Sequence, residues 1–132
     1  MNYPLDHIGI ATHNLDEAIS NYQRDFGFQL SLREQIQSQN VEVAFISLPN
    51  TLIELLAPTS KQSTLQKFLD SRGPGLHHIC YQVDDIRAEL ARLKALGHKL
   101  IDEVPRPGAN HSQIAFLHPK TMGGVLVELC QR

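Results

Sequence analysis

Histidine and glutamate recur together in this chain. His7 opens the apolar run "DHIGIA", His78 lies in "GLHHICYQVDD", Glu54 sits in "LIELLAP" and Glu128 in "VLVELCQR". Imidazole and carboxylate are the side chains that hold borderline divalent cations and that exchange protons near neutral pH. On their own strand faces Glu54 sits between Leu52 and Leu56, and Glu128 between Leu126 and Cys130; a carboxylate among such side chains is costly to bury alone, so each needs a partner. The doublet His77 and His78 adds a geometric condition. Neighbouring side chains of an extended strand point to opposite faces, so only one of the two serves any one site.

The elements that would carry these residues are duplicated. "DHIGIATHNLDEAISNYQRDFGFQL" and "HHICYQVDDIRAELARLKALGHKL" share a layout of a strand opened by His, a capped helix, a glycine and a return to apolar residues. The later parts match too: Phe45 pairs with Phe116, Pro49 with Pro119 and Glu54 with Glu128. Each copy reads as strand, helix and three strands, a βαβββ module of an α+β fold. Strands are expected over 5–11, 29–37, 41–48 and 52–57 in the first copy, and over 76–83, 99–104, 113–118 and 125–130 in the second. The first helix is expected over 16–26, capped by Asn14, with Leu15, Ala18, Ile19, Tyr22 and Phe26 buried. The second is expected over 85–96, capped by Asp84 and ended by Gly97, with Ile86, Leu90, Leu93 and Leu96 buried. The whole chain, 1–132, forms one domain of two modules, about 4–58 and about 75–132. They are joined by a linker over about 59–74 that carries a short helix over 64–69.

Alternation sorts the strand side chains into faces. His7, Gly9 and Ala11 share one face of the first strand; His78, Cys80 and Gln82 share one face of its counterpart. If the two copies face each other, the first-strand histidine and last-strand glutamate of each converge. That makes His7, Glu54, His78 and Glu128 one set of divalent-metal ligands and leaves His77 a structural role. The metal itself stays open among cobalt, zinc, nickel, manganese and iron.

Composition narrows the rest. Hydrophobic residues make up 42% and charged residues 20%, as in a globular chain. A formal net charge of -2 gives no diffuse attraction to nucleic acid or to anionic lipid. No apolar run approaches the ~18 residues of a membrane span, and the expected location is the cytoplasm. Two cysteines, Cys80 and Cys130, are too few for a disulfide framework and read as reduced lining of the proposed site.

The blocks "DHIGIAT", "NTLIELLAP", "GLHHICYQVDDI" and "PRPGANHSQIAFLHPKTMGGVLVEL" resemble the vicinal oxygen chelate (glyoxalase/bleomycin resistance) superfamily, and within it the methylmalonyl-CoA epimerases. The resemblance covers essentially the whole chain. It implies paired βαβββ modules whose mixed sheet curves around a cavity with the helices outside, and one divalent metal on His7, Glu54, His78 and Glu128. It further implies epimerisation of (2R)- and (2S)-methylmalonyl-CoA through an enolate, an acyl-CoA substrate and a homodimer. Glu42, in "NVEVAF", and Glu128 are the implied acid/base pair, with Glu42 expected on the cavity face. Lys61, Lys67, Arg72, Arg106 and Lys120 are expected to be available to the CoA phosphates. "PGANHSQ" departs from the family's "GAHG"-like loop. A lactoylglutathione lyase of the glyoxalase I type, and a non-catalytic small-molecule-binding protein, are the alternatives within the superfamily; the former's "DPDG"-like closing turn is absent.

Overall fold

The computed structural model describes residues 1–132. The chain divides into two compact units, an N-terminal one of residues 7–77 and a C-terminal one of residues 78–132 with residues 1–6.

The N-terminal unit begins within strand β1 (Leu5–Ala11) and continues through helix α1 (Leu15–Phe26), strands β2 (Gln29–Ile36), β3 (Val41–Ser47) and β4 (Leu52–Pro58), and helix α2 (Thr64–Arg72). Its strands lie in the order β2, β3, β4, β1. The first two contacts are antiparallel and the last is parallel, because α1 carries the chain over the sheet before β2 begins. Asn14 caps α1 as expected, its side chain accepting from Glu17 N–H at 3.0 Å. Gly27 ends the helix in the left-handed region, where its N–H returns to Gln23. Leu15 and Ile19 pack on Ala44, Ile46, Leu55 and Ala57, which makes this the helix face of the sheet. Phe26, expected in that stripe, is instead 67% exposed, and its ring stacks on Phe28 just past the helix end rather than on the sheet.

The C-terminal unit holds strand β5 (Gly75–Gln82) from His78 onward, helix α3 (Ile86–Ala95), strands β6 (Arg106–Pro107) and β7 (Gln113–Leu117), and strand β8 (Val127–Gln131). The order is β5, β8, β7, β6, with β5 parallel to β8 and the rest antiparallel. Ile86 and Leu90 of α3 pack on Ala115, Leu117, Val127 and Leu129. Asp85, not Asp84, caps α3 by accepting from Ala88 N–H at 3.0 Å. Leu96 follows the helix and is 65% exposed rather than buried.

The strand expected over 99–104 does not form. Ile101 N–H and Asp102 N–H both donate to Phe116 C=O, and the Asp102 carboxylate accepts from Phe116 N–H. Two donors on one carbonyl break the alternating ladder, and Ile101 and Val104 stay exposed. The ladder resumes only at β6. Beyond it Gly108 runs so close to Ile114 that an added Cβ would stand 2.6 Å from Ile114 Cγ2, which fixes glycine in the "PGANHS" turn.

Residues 1–6 are fastened to the C-terminal unit. Arg132 donates Nε and Nη2 to the two Asp6 oxygens at 3.0 and 2.6 Å. The Tyr3 hydroxyl donates to Glu89, which also receives Arg92.

Candidate active site

Each unit builds the same three-residue constellation. In the N-terminal unit His7 is on β1, Phe45 on β3 and Glu54 on β4, with Phe45 and Glu54 directly opposed across an antiparallel pair. His7 Nε2 stands 3.5 Å from Glu54 Oε1, and the His7 ring meets Phe45 edge-on at 5.5 Å. In the C-terminal unit His78 is on β5, Phe116 on β7 and Glu128 on β8, with Phe116 opposed to Glu128. His78 Nε2 stands 3.5 Å from Glu128 Oε1, and its ring meets Phe116 edge-on at 5.6 Å. The four polar residues are 3 to 6% exposed. The phenylalanines fix the imidazole planes, and the backbone ladder fixes the glutamates, so both donors of each pair are preorganised before any ligand arrives.

The spacing within each pair fits a bound cation. A hydrogen bond between nitrogen and oxygen usually measures ~2.7–3.2 Å, shorter than the 3.5 Å found. Two donors each ~2.1 Å from a common tetrahedral ion stand ~3.4 Å apart. Each pair offers one imidazole and one buried carboxylate, donors of the kind that a divalent ion of the zinc and cobalt type accepts.

The remaining sequence-selected residues fall as follows. His77 packs on the Phe68 ring of α2 at 4.8 Å, a structural contact of the N-terminal unit. Cys80 and Cys130 are fully buried on the His78 and Glu128 side of their sheet with Ile114, Phe116 and Leu126. Burial, followed by Cys130 and the Glu128 carboxylate, pushes the Cys80 thiol far above its ordinary value, so it stays protonated and is no nucleophile. Lys61, Lys67, Arg72 and Lys120 are exposed, while Arg106 is half-buried.

Glu42 does not lie where it was expected. It shares strand parity with Ala44 and Ile46, which pack under α1, whereas Phe45 faces His7. Its carboxylate accepts from Arg33 Nε and Nη2 at 3.2 Å each, and Arg33 Nη1 reaches Asp16 on α1 at 2.6 Å. Glu42 thus belongs to an ion-pair network on the helix side. The half-buried Glu34 was overlooked: β2 pairs it with Val43, on the face of Phe45 and Glu54. Its signal in the sequence was the alternation of Leu32, Glu34 and Ile36, which became readable only once the β2 to β3 register was known.

Known proteins carry the same architecture. The family model of the Glyoxalase/Bleomycin resistance protein/Dioxygenase superfamily matches residues 6–116. A mitochondrial methylmalonyl-CoA epimerase of Dictyostelium discoideum is 42% identical over 126 residues, covering 95% of this chain and 76% of that protein. The chain belongs to this superfamily and to its methylmalonyl-CoA epimerase family. The ethylmalonyl-CoA/methylmalonyl-CoA epimerase of Cereibacter sphaeroides is 40% identical over 129 residues, 96% of each chain. A methylmalonyl-CoA epimerase solved in complex with methylmalonyl-CoA and NH4+ superposes with a TM-score of 0.95 at 34% identity, covering 99% of this chain and 95% of that one. The superposition spans both βαβββ modules, so the α+β architecture read from the repeat is that of the epimerase family. No helix of the chain is long and apolar enough to cross a membrane.

Proposed function

We propose that the chain is a metal-dependent epimerase interconverting (2R)- and (2S)-methylmalonyl-CoA through an enolate. The observation that carries the reading is the repeated buried His–Glu pair at 3.5 Å, in a chain about two-fifths identical to such epimerases. In this reading His7, Glu54, His78 and Glu128 hold one divalent ion, of cobalt, zinc, nickel or manganese, and the protein works as a cytoplasmic homodimer on an acyl-CoA. The donor chemistry of the two pairs supports the ligand set; the family resemblance supports the dimer.

Epimerisation removes the proton between two carbonyl groups and returns one to the opposite face. The hard step is development of negative charge on the thioester oxygen. When bound, the ion supplies Lewis acidity against that charge. The protein supplies the rest. Phe45 opposite Glu54, and Phe116, Cys80 and Cys130 around Glu128, are buried apolar neighbours beside which a carboxylate is a stronger base than in water. Two carboxyl groups must flank the carbon, one taking the proton and the other returning it. Glu128 serves one side. Glu34 takes the part expected of Glu42, because it shares the face of His7 and Glu54 while Glu42 is turned to α1 and held by Arg33.

The test is proton NMR in deuterium oxide on cobalt-reconstituted protein, following the α-proton of methylmalonyl-CoA. Metal-dependent exchange well above the rate without enzyme is expected. No exchange by protein with metal bound would overturn the reading, and turnover of a glutathione hemithioacetal would replace it with the lyase.

A further inference from the structure

The face of the C-terminal unit that bears His78 and Glu128 also bears a cation. β6 sets Arg106 opposite Ile114, a member of the cluster with Cys80, Phe116 and Cys130, so the Arg106 side chain leaves the sheet on that face. Its guanidinium carbon lies 5.5 Å from the centroid of the Phe116 ring, the ring that meets His78 edge-on. Its Nε–H is buried and donates no hydrogen bond. Asp102 Oδ1 stands 3.4 Å away, an ion-pair distance, while Asp102 Oδ2 is taken by Phe116 N–H at 2.9 Å. Asp102 and the aromatic ring therefore aim the guanidinium without consuming its donors. A planar fork of uncommitted donors, seated on an aromatic ring that also meets an imidazole, is an arrangement that recognises a carboxylate.

We propose that Arg106 receives the free carboxylate of the acyl group and so selects 2-carboxyacyl thioesters over simple acyl thioesters. The assignment rests on the functional reading above. It differs from a role at the CoA phosphates, which lie a pantetheine arm away from the reacting carbon. Arg106 is joined through one ring to His78, a proposed ligand at the reacting end. Fixing the carboxylate also fixes which faces of the α-carbon the two bases meet, so Arg106 is at once a binding and an orienting residue.

The experiment measures by calorimetry the affinities of methylmalonyl-CoA, isobutyryl-CoA and free CoA for wild type, Arg106→Gln and Arg106→Lys, each with metal content and circular dichroism matched. Isobutyryl-CoA carries a methyl group where the substrate has its carboxylate. The wild type is expected to prefer methylmalonyl-CoA. Arg106→Gln is expected to lose about 10- to 100-fold of that preference, with isobutyryl-CoA and CoA binding unchanged, and Arg106→Lys to keep part of it. An equal loss for all three ligands would assign Arg106 to the phosphates and overturn the proposal, as would an unchanged preference in Arg106→Gln. Wild-type protein that binds neither thioester would overturn the functional reading first, and this assignment with it.

Discussion

Replacing Glu42 by glutamine separates the helix face of the N-terminal sheet from the His7 face in one measurement. Glu42 and Arg33 are 26% and 36% exposed at their side chains, so their ion pair is a surface one, and such pairs contribute about 0.5 kcal/mol. The introduced amide keeps a carbonyl that can accept from Arg33, and Arg33 keeps Asp16. The expected cost of Glu42→Gln is therefore roughly 2 °C in Tm, with the exchange and epimerisation rates within about twofold of wild type. Glu34→Gln is the contrasting variant. Loss of a general acid or base slows a step by about 10²- to 10⁴-fold, about 2.7 to 5.4 kcal/mol of barrier at ~1.36 kcal/mol per tenfold. Started from one pure epimer in deuterium oxide, Glu34→Gln is expected to lose formation of the other epimer to that extent while retaining wild-type metal content. The refuting result is a Glu42→Gln protein with normal metal content and near-normal Tm whose rate falls more than tenfold. The carboxylate bonded to Arg33 would then be the one that handles the proton, and the face assignment would fail.

Three further outcomes follow from the same geometry. His78→Ala and His7→Ala are each expected to weaken cobalt binding at least about 100-fold, since each removes a proposed donor; plasma emission on dialysed protein counts the metal, and full retention by either variant would refute the proposed four-residue site. Cys80 and Cys130 should resist iodoacetamide in the native protein and react on unfolding, because both are buried and the Cys80 thiol is held protonated; mass spectrometry of rapidly labelled native protein would expose an error. The Glu89 carboxyl is held below its ordinary range by Arg92 and then, against the opposing effect of burial, by the Tyr3 hydroxyl. Its contribution is present above the unfolded-state value of ~4.3 and fades as pH falls through the lower folded-state value. Urea unfolding at pH 7 and at pH 3 should show a smaller acid loss for Glu89→Gln than for wild type, and an equal loss would refute the assignment.

The amino-acid sequence by itself determined the duplicated module and the residues that recur in it. His7 and His78, Phe45 and Phe116, Glu54 and Glu128 recur at equivalent places in two copies, and equivalent places in a repeated module receive equivalent environments. The two buried pairs were legible for that reason. The helix caps were legible to within a residue because capping is local chemistry, although Asp84 and Asp85 offer the same carboxylate and only the backbone turn selected Asp85.

Tertiary structure decided what depends on a neighbouring strand. Alternation divides the residues of one strand between two faces, but it does not say which face of β3 matches which face of β1. The pairing register and the seat of α1 do. They turned Glu42 to the helix, brought Glu34 to the His7 side and set Arg106 beside Phe116. The segment 99–104 makes the same point about pairing. Its apolar residues fit a strand, yet two of its amides converge on the Phe116 carbonyl and only Leu100 bridges to β7, because a strand exists only where a partner continues the ladder.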